Sequence, residues 1–247
     1  MIRVEHRGEG GAVAVITIDR AEKRNALTPD MARNLAESAA RLRESGARAA
    51  VLAGAGAMFC SGFDLAVCKA DAMATGDLLR SLTATAKALR GLPIPVIAAA
   101  QGGAIAGGCA IVAACDIVVT NREAAIGYPV LRIGVSPAVS SPRFAMAVGF
   151  GRCRERMLDP ALITGEEALR IGFAHECLPT AAEVMPCALA IADSLAAKPR
   201  HALATTKLWL NELDGSDDDA TLGAALHASL ALTNSAEERE RLESLRL

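Results

Sequence analysis

Two short apolar runs in the sequence each lead into a turn of small residues and then into a stretch with helical character. The first passes from Val51-Leu52-Ala53 to Phe59-Cys60-Ser61-Gly62-Phe63-Asp64-Leu65. The second passes from Val96-Ile97-Ala98-Ala99 to Gly102-Gly103-Ala104-Ile105-Ala106-Gly107-Gly108-Cys109. A helix start carries unpaired N–H groups and the positive end of the helix dipole. Two such starts aimed at one point would make a preformed receptor for a carbonyl oxygen that gains negative charge. Glycine lets a substrate reach the backbone with no side chain in the way. The same spacing also fits simple tight packing of turns in an α/β protein. A dinucleotide-binding loop is a third possibility. However, Gly54-x-Gly56 is followed by Phe59 where a third glycine is required, and no acidic residue is suitably placed on a following strand.

The elements that must hold these turns can be read from periodicity. Val13, Val15 and Thr17 alternate with Ala14, Ile16 and Ile18, which predicts a strand. Thr28-Pro29 is a helix start, with Thr28 as N-cap and Pro29 at the first helical position. Met31, Leu35, Ala39 and Leu42 then share one face, and Gly46 can end the helix. Further expectations are a strand over 49–53, a helix over 77–89, a strand over 95–100, a turn over 101–106, a helix over 107–114 and a strand over 116–120. This alternation with short connections predicts a parallel-sheet α/β core. The last third reads as mostly helical, with capping boxes at Thr164/Glu167, Thr180/Glu183 and Ser235/Glu238 and an acidic turn over 214–219. Ala197-Lys198-Pro199-Arg200 is the natural seam between a core of residues 1–198 and a helical region of residues 199–247.

Composition narrows the function. The 247 residues carry 26 Lys and Arg against 28 Asp and Glu, a formal net charge of −2. With 3% aromatic residues, the chain has neither the basic surface nor the stacking rings of a nucleic-acid binder. Its 52% hydrophobic content excludes a largely disordered chain. The seven cysteines are odd in number and lack any Cys-x-x-Cys, so neither a disulfide framework nor a metal site is expected. No secretory h-region follows Met1, which points to a cytoplasmic protein. Residues 91–115 are uncharged, but Pro93, Pro95, Gln101 and five glycines favour a buried strand, turn and helix over a membrane span.

Beyond spacing, the residues themselves resemble the enoyl-CoA hydratase/isomerase (crotonase) family. Glu22-Lys23-Arg24-Asn25-Ala26-Leu27-Thr28 looks like its first signature, and 59–65 is similar to its first oxyanion turn. Residues 95–109, followed by Ala114-Cys115-Asp116-Ile117, resemble its second oxyanion turn, and 163–172 its later helix pair. The resemblance implies a crotonase-like α/β spiral of ββα units with a C-terminal helical trimerisation region. It further implies a homotrimer or dimer of trimers and an acyl-CoA thioester whose oxygen is held by the N–H groups of Phe63 and Gly107. Coenzyme A would enter as part of the substrate, with no separate cofactor, lying near Arg24, Ala26, Leu27, Ser61, Asp64 and Leu65. The implied metabolic setting is that of fatty acids.

The pattern breaks at the acid–base positions. Hydratases of the family use two glutamates, which by resemblance map to Ala110 and Val130 here. The following stretch, Gly-Val-Ser-Pro-Ala-Val-Ser-Ser over 134–141, supplies no replacement carboxylate. Paired carboxylates suit hydration because their environments can separate their pKa values. Without them, decarboxylation or isomerisation is expected in preference to hydration, and the alternative is a catalytically inactive acyl-CoA-binding homologue. Three side chains are candidates for a substitute role. Tyr128 could donate a proton to an enolate, though it could equally be a core tyrosine. His227 falls in a C-terminal helix that borders the acyl pocket in relatives, and is otherwise structural. Cys109 begins a helix, where a thiolate would be stabilised and could serve a thioester hydrolase as nucleophile, though most free cysteines are buried packing residues. Lys69 lies one turn beyond the position, here Leu65, where decarboxylating members carry lysine. Asp64 is expected to fix its own helix start.

Overall fold

The computed structural model describes residues 1–215 and 218–246, so the centre of the acidic turn lies outside the described residues. Eight strands are present: β1 (Ile2–Arg7), β2 (Val13–Ile18), β3 (Ala49–Gly54), β4 (Val96–Ala100), β5 (Gly103–Ile105), β6 (Ile117–Asn121), β7 (Ala125–Gly127) and β8 (Glu176–Leu178). They form a main sheet of order β1-β2-β3-β4-β6-β8 and a two-stranded sheet of β5 and β7. Of the strand pairs among the described residues, β1–β2 is antiparallel and the others are parallel. The helices are α1 (Pro29–Arg41), α2 (Leu65–Ala70), α3 (Ala74–Arg90), α4 (Gly107–Val112), α5 (Ser141–Leu158), α6 (Gly165–Arg170), α7 (Ala181–Ala196), α8 (Arg200–Asp214), α9 (Asp219–Leu230) and α10 (Ala236–Ser244).

β3 and β4 are buried along their whole length, as parallel strands covered on both faces must be. On one face, Val184, Ala188, Ala192 and Ala196 recur every fourth residue and press α7 onto Val15, Val51, Ile97 and Val119. On the other, α1 and α3 close over Ile16, Leu52 and Ala98. Alanine at so many of these positions lets helix and sheet approach closely, which is why few aromatic side chains suffice.

Several expectations need correction. β1 shows no periodic signal because five of its six residues are exposed at the sheet edge. β5 lies inside the expected turn, and β7 and β8 have only three residues each, so their pairing partners rather than local patterns define them. Of the three capping boxes, Thr180/Glu183 closes reciprocally. Thr164 and Ser235 each accept their N3 amide, but Glu167 turns to Arg170 and Glu238 to the amide of Asn234. Residues 91–115 fold as β4, β5 and α4, and no helix among the described residues is long and apolar enough to cross a membrane.

The seam between α7 and α8 is tied down. Lys207, on α8, is buried and reaches Asp116 Oδ2 at 2.7 Å and Ile94 O at 2.8 Å. Asp116 Oδ2 also accepts the β4 amide of Val96 at 2.7 Å, so one carboxylate links sheet and C-terminal helices. At the end of the chain, α10 brings Leu242 back against the core, and Lys69 Nζ donates to Glu243 O and Leu245 O at 3.0 and 3.3 Å.

Candidate active site

β3 and β4 are neighbours in the sheet, so the turns that leave their C-terminal ends run side by side, the position where open α/β sheets place ligands. Phe59 N donates to Gln101 O at 2.8 Å and Ile105 N to Cys60 O at 3.0 Å, which stitches the turns together. A Cβ on Gly108 would stand 2.6 Å from Cys60 O, so only glycine permits this approach. The loop over 24–27 straps the first turn from outside: Ser61 N donates to Arg24 O, Leu27 N to Gly62 O and Asp64 N to Leu27 O, at 3.0, 2.8 and 2.9 Å.

The result places Phe63 and Gly107 on the wall of one cavity. Phe63 N–H has no acceptor among the described residues, and Gly107 N–H, first in α4, has none within its helix. The Phe63 ring lies over Gly107, where an added Cβ would come within 2.8 Å of Phe63 Cε1. Ala106, which aims the Gly107 amide, has φ 52° and ψ −115°, a conformation that L-residues avoid. Ala106→Gly is therefore expected to raise stability by about 1 kcal/mol, relief of strain exceeding the added freedom of the unfolded chain. Urea unfolding would check the sign.

Asp64 holds the first turn. Its carboxylate accepts the α2 amides of Ala66 and Val67 at 3.1 and 3.4 Å and pairs with Arg20 at 2.7 Å. Burial alone would raise its pKa, but the Arg20 hydrogen bond and charge and the two amides outweigh burial and hold it below the ordinary aspartate value. Because the folded pKa is depressed, this stabilisation is present above the unfolded pKa of about 4 and is lost as pH falls through the folded value. Asp64→Ala should cost about 1 kcal/mol at neutral pH, mainly through the lost cap, and the gap from the parent should close in acid. Thermal melts at pH 7 and below pH 4 read both effects.

Asn25 is a determinant that sequence reasoning passed over. It is fully buried at φ 56°, accepts Arg20 N at 2.8 Å, and donates to Ala55 O and Met58 O at 2.9 and 2.6 Å. Asparagine tolerates this left-handed backbone, and its place in the 22–28 segment was the available signal.

The cavity has a volume of about 760 Å³ counted to its open mouth, and its lining contains no Asp, Glu, His, Lys or Arg. Ser61 and Leu65 line it, while Arg24 is exposed and Ala26 half-buried on the adjoining loop. Leu27 is fully buried with both backbone groups bonded to the first turn, so its side chain belongs to the core. Tyr128 and Val130 also line the cavity. Tyr128 is 1% exposed, packs edge-on to Phe144 with ring centres 5.3 Å apart, and its hydroxyl lies by the Cys109 thiol without a well-formed hydrogen bond. Burial, then Cys109, pushes its pKa well up, which keeps the phenol protonated. Ala110 lies on a narrow gap of about 10 Å³ next to the cavity, bordered by Leu82, Val139, Ser140 and Arg143. Leu82, Val139 and Ser140 line the cavity as well, so the void adjoins its inner end.

Cys109 is fully buried, and burial drives its thiol up to about 12 despite the adjacent helix start and Tyr128 hydroxyl, so it is no thiolate nucleophile. His227 is exposed and lines neither this cavity nor its inner void. The serines behave as capping residues: Ser136 Oγ accepts Ala138 N at 3.2 Å and Ser141 Oγ donates to Ala138 O at 2.8 Å. Among the described residues, no group of three or more His, Cys, Asp or Glu could hold a metal ion.

With sheet, paired turns and apolar cavity in this arrangement, the chain belongs to the enoyl-CoA hydratase/isomerase family, whose model matches residues 8–244. It is 31% identical to the short-chain-enoyl-CoA hydratase of Clostridium acetobutylicum over 216 residues, covering 86% of this chain and 82% of that protein. An enoyl-CoA hydratase/isomerase from Mycobacterium paratuberculosis superposes with TM-score 0.87 at 28% identity, covering 99% and 98% of the two chains. The fold is also that of an enoyl-CoA hydratase from Bacillus halodurans, with TM-score 0.88 at 24% identity and 99% coverage of both.

Proposed function

We propose that the protein binds a CoA thioester and stabilises its enolate at Phe63 N–H and Gly107 N–H, acting by decarboxylation rather than hydration. One observation carries the reading: a family cavity whose lining holds no side chain able to act as a general base near neutral pH. Hydration needs a base to activate water and an acid to protonate the α-carbon. Loss of CO₂ from a malonyl-type thioester needs neither at the bond-breaking step. The C–C pair passes into the enolate, its negative oxygen rests between the two N–H groups, CO₂ leaves, and a proton from solvent later reaches the α-carbon. A hole of this kind is worth about 10² to 10³ in rate per donor. Coenzyme A would sit across Arg24, Ala26, Ser61 and Leu65, entering only as part of the substrate.

The decisive comparison pairs CO₂ release from malonyl-CoA and methylmalonyl-CoA with hydration of crotonyl-CoA. Release well above the uncatalysed rate, with hydration at background, is the expected result. Hydration at a rate matching or exceeding release would overturn it, and tight thioester binding without any turnover would identify an inactive binding homologue.

Self-association belongs to the same proposal. Trp209, Leu210 and Leu213 on α8 and Phe150 and Leu158 on α5 are exposed on the single chain, between 50% and 77%. Exposed apolar surface on this scale marks interaction surfaces. A trimer or dimer of trimers is expected in sedimentation equilibrium, and Trp209→Glu should shift the distribution toward monomer.

A further inference from the structure

The cavity ends at a neck. Leu82, Val139 and Ser140 line both the cavity and the narrow gap behind it, and the gap continues past them along Thr83, Ala86 and Ala110. About 120 Å³ of accessible space lies in front of the neck and about 10 Å³ behind it, so the gap has room for a single water at most. The side chains behind the neck are small. Ala86 follows Leu82 by one turn of α3, and Ala110 follows Gly107 by one turn of α4. The cavity therefore stops at the bulk of two apolar side chains, with alanines beyond them.

Both sides of the neck are held in place. Thr75, Leu79 and Leu82 share one face of α3 and line the cavity, and Leu82 is 3% exposed. Val139 reaches the neck from a different element and is fixed through its backbone. Its N–H donates to Ser229 Oγ at 2.9 Å, and that hydroxyl donates to Ser136 O at 3.0 Å. Ser229, on α9, is fully buried, so moving Val139 outward would strand a buried hydroxyl.

We propose that Leu82 and Val139 determine acyl-chain specificity, limiting the substrate to a short aliphatic chain. With the thioester oxygen at Gly107, the gap begins about one helical turn away along α4, which allows roughly four to six acyl carbons. Up to that length, each methylene gains roughly fourfold in affinity by leaving water. Past it, a further carbon must displace packed side chains, which reverses the trend. This rests on the assignment of the cavity to a CoA thioester.

The test is calorimetric titration of the full chain with butyryl-, hexanoyl-, octanoyl- and decanoyl-CoA, with free CoA as reference. Saturated thioesters read chain length without requiring turnover. The parent should bind butyryl- or hexanoyl-CoA most tightly, with decanoyl-CoA about tenfold weaker than the best. Leu82→Ala trims the neck to a methyl group and joins the gap to the cavity, so the maximum should move to octanoyl- or decanoyl-CoA. Adding Ala86→Leu to that variant refills the gap one turn further on and should restore the parent's preference, which general loosening of α3 would not do. Val139→Ala opens the neck from its other side, should move the maximum in the same direction, and covers the case in which Leu82→Ala fails to fold. Decanoyl-CoA bound by the parent as tightly as any shorter thioester would overturn the proposal and leave the assignment of the cavity intact. So would an unmoved maximum in a folded Leu82→Ala or, where that variant does not fold, in Val139→Ala. Thioesters that all bind no more tightly than free CoA would instead overturn the assignment itself.

Discussion

Gly107→Val is expected to lower CO₂ release from malonyl-CoA by a factor of about 10² to 10³ while the protein still folds. The added Cβ falls 2.8 Å from Phe63 Cε1, so the ring that covers Gly107 must move, and the valine methyls occupy the space in front of the amide. The Phe63 ring is only half-buried, at the cavity mouth, and can yield without disturbing the sheet. The lost rate therefore reports on the anion receptor and not on global stability. The measurement is kcat for the variant beside its melting temperature; a variant that melts like the parent and retains more than a tenth of its rate would remove Gly107 N–H from the mechanism. The equivalent change at Gly108 is less informative, because there the new Cβ meets the backbone oxygen of Cys60.

Lys207→Met is expected to produce the largest loss of stability, about 3 kcal/mol or more. The ammonium is 7% exposed at its side chain and satisfies Asp116, Ile94 O and, at 3.4 Å, Leu89 O. Burial lowers the Lys207 pKa, and Asp116 counteracts that by favouring the charged form. Methionine fills the volume but strands the aspartate, which is left with Val96 N and the more distant Arg90 at 3.6 Å. Breaking one side of a buried pair costs more than the pair itself contributes, since the remaining charge stays in the interior. Replacing both partners, Lys207→Met with Asp116→Asn, should recover part of the loss, because asparagine can still accept the Val96 amide. Urea titrations of the two single variants and the double close the cycle.

The sequence made the central sheet legible because β2, β3 and β4 are read locally: branched or small apolar residues in short runs, bounded by glycine and proline. The paired turns were legible for the same reason, since glycine and alanine at a strand end have few other uses. What escaped was set by distance along the chain. β1 pairs through its backbone with side chains in solvent, and β5 and β7 exist because residues 103–105 meet residues 125–127. At Cys109 a helix start argues for a thiolate, whereas burial, which no local pattern discloses, has the larger effect. His227 lies in the expected helix but faces outward, a matter of rotation about the helix axis on which α9's weakly amphipathic sequence is silent.

The last helix adds a temporal constraint. Leu242 lines the cavity, and Lys69 beside the first turn is bonded to carbonyls of residues 243 and 245. During synthesis the sheet and both glycine turns leave the ribosome long before these residues do. The nascent chain therefore has both glycine turns in place while one wall of the cavity is missing. The cavity closes once residue 242 has left the ribosome and packed. Until then a folded sheet displays an open, apolar trough, a target for chaperones.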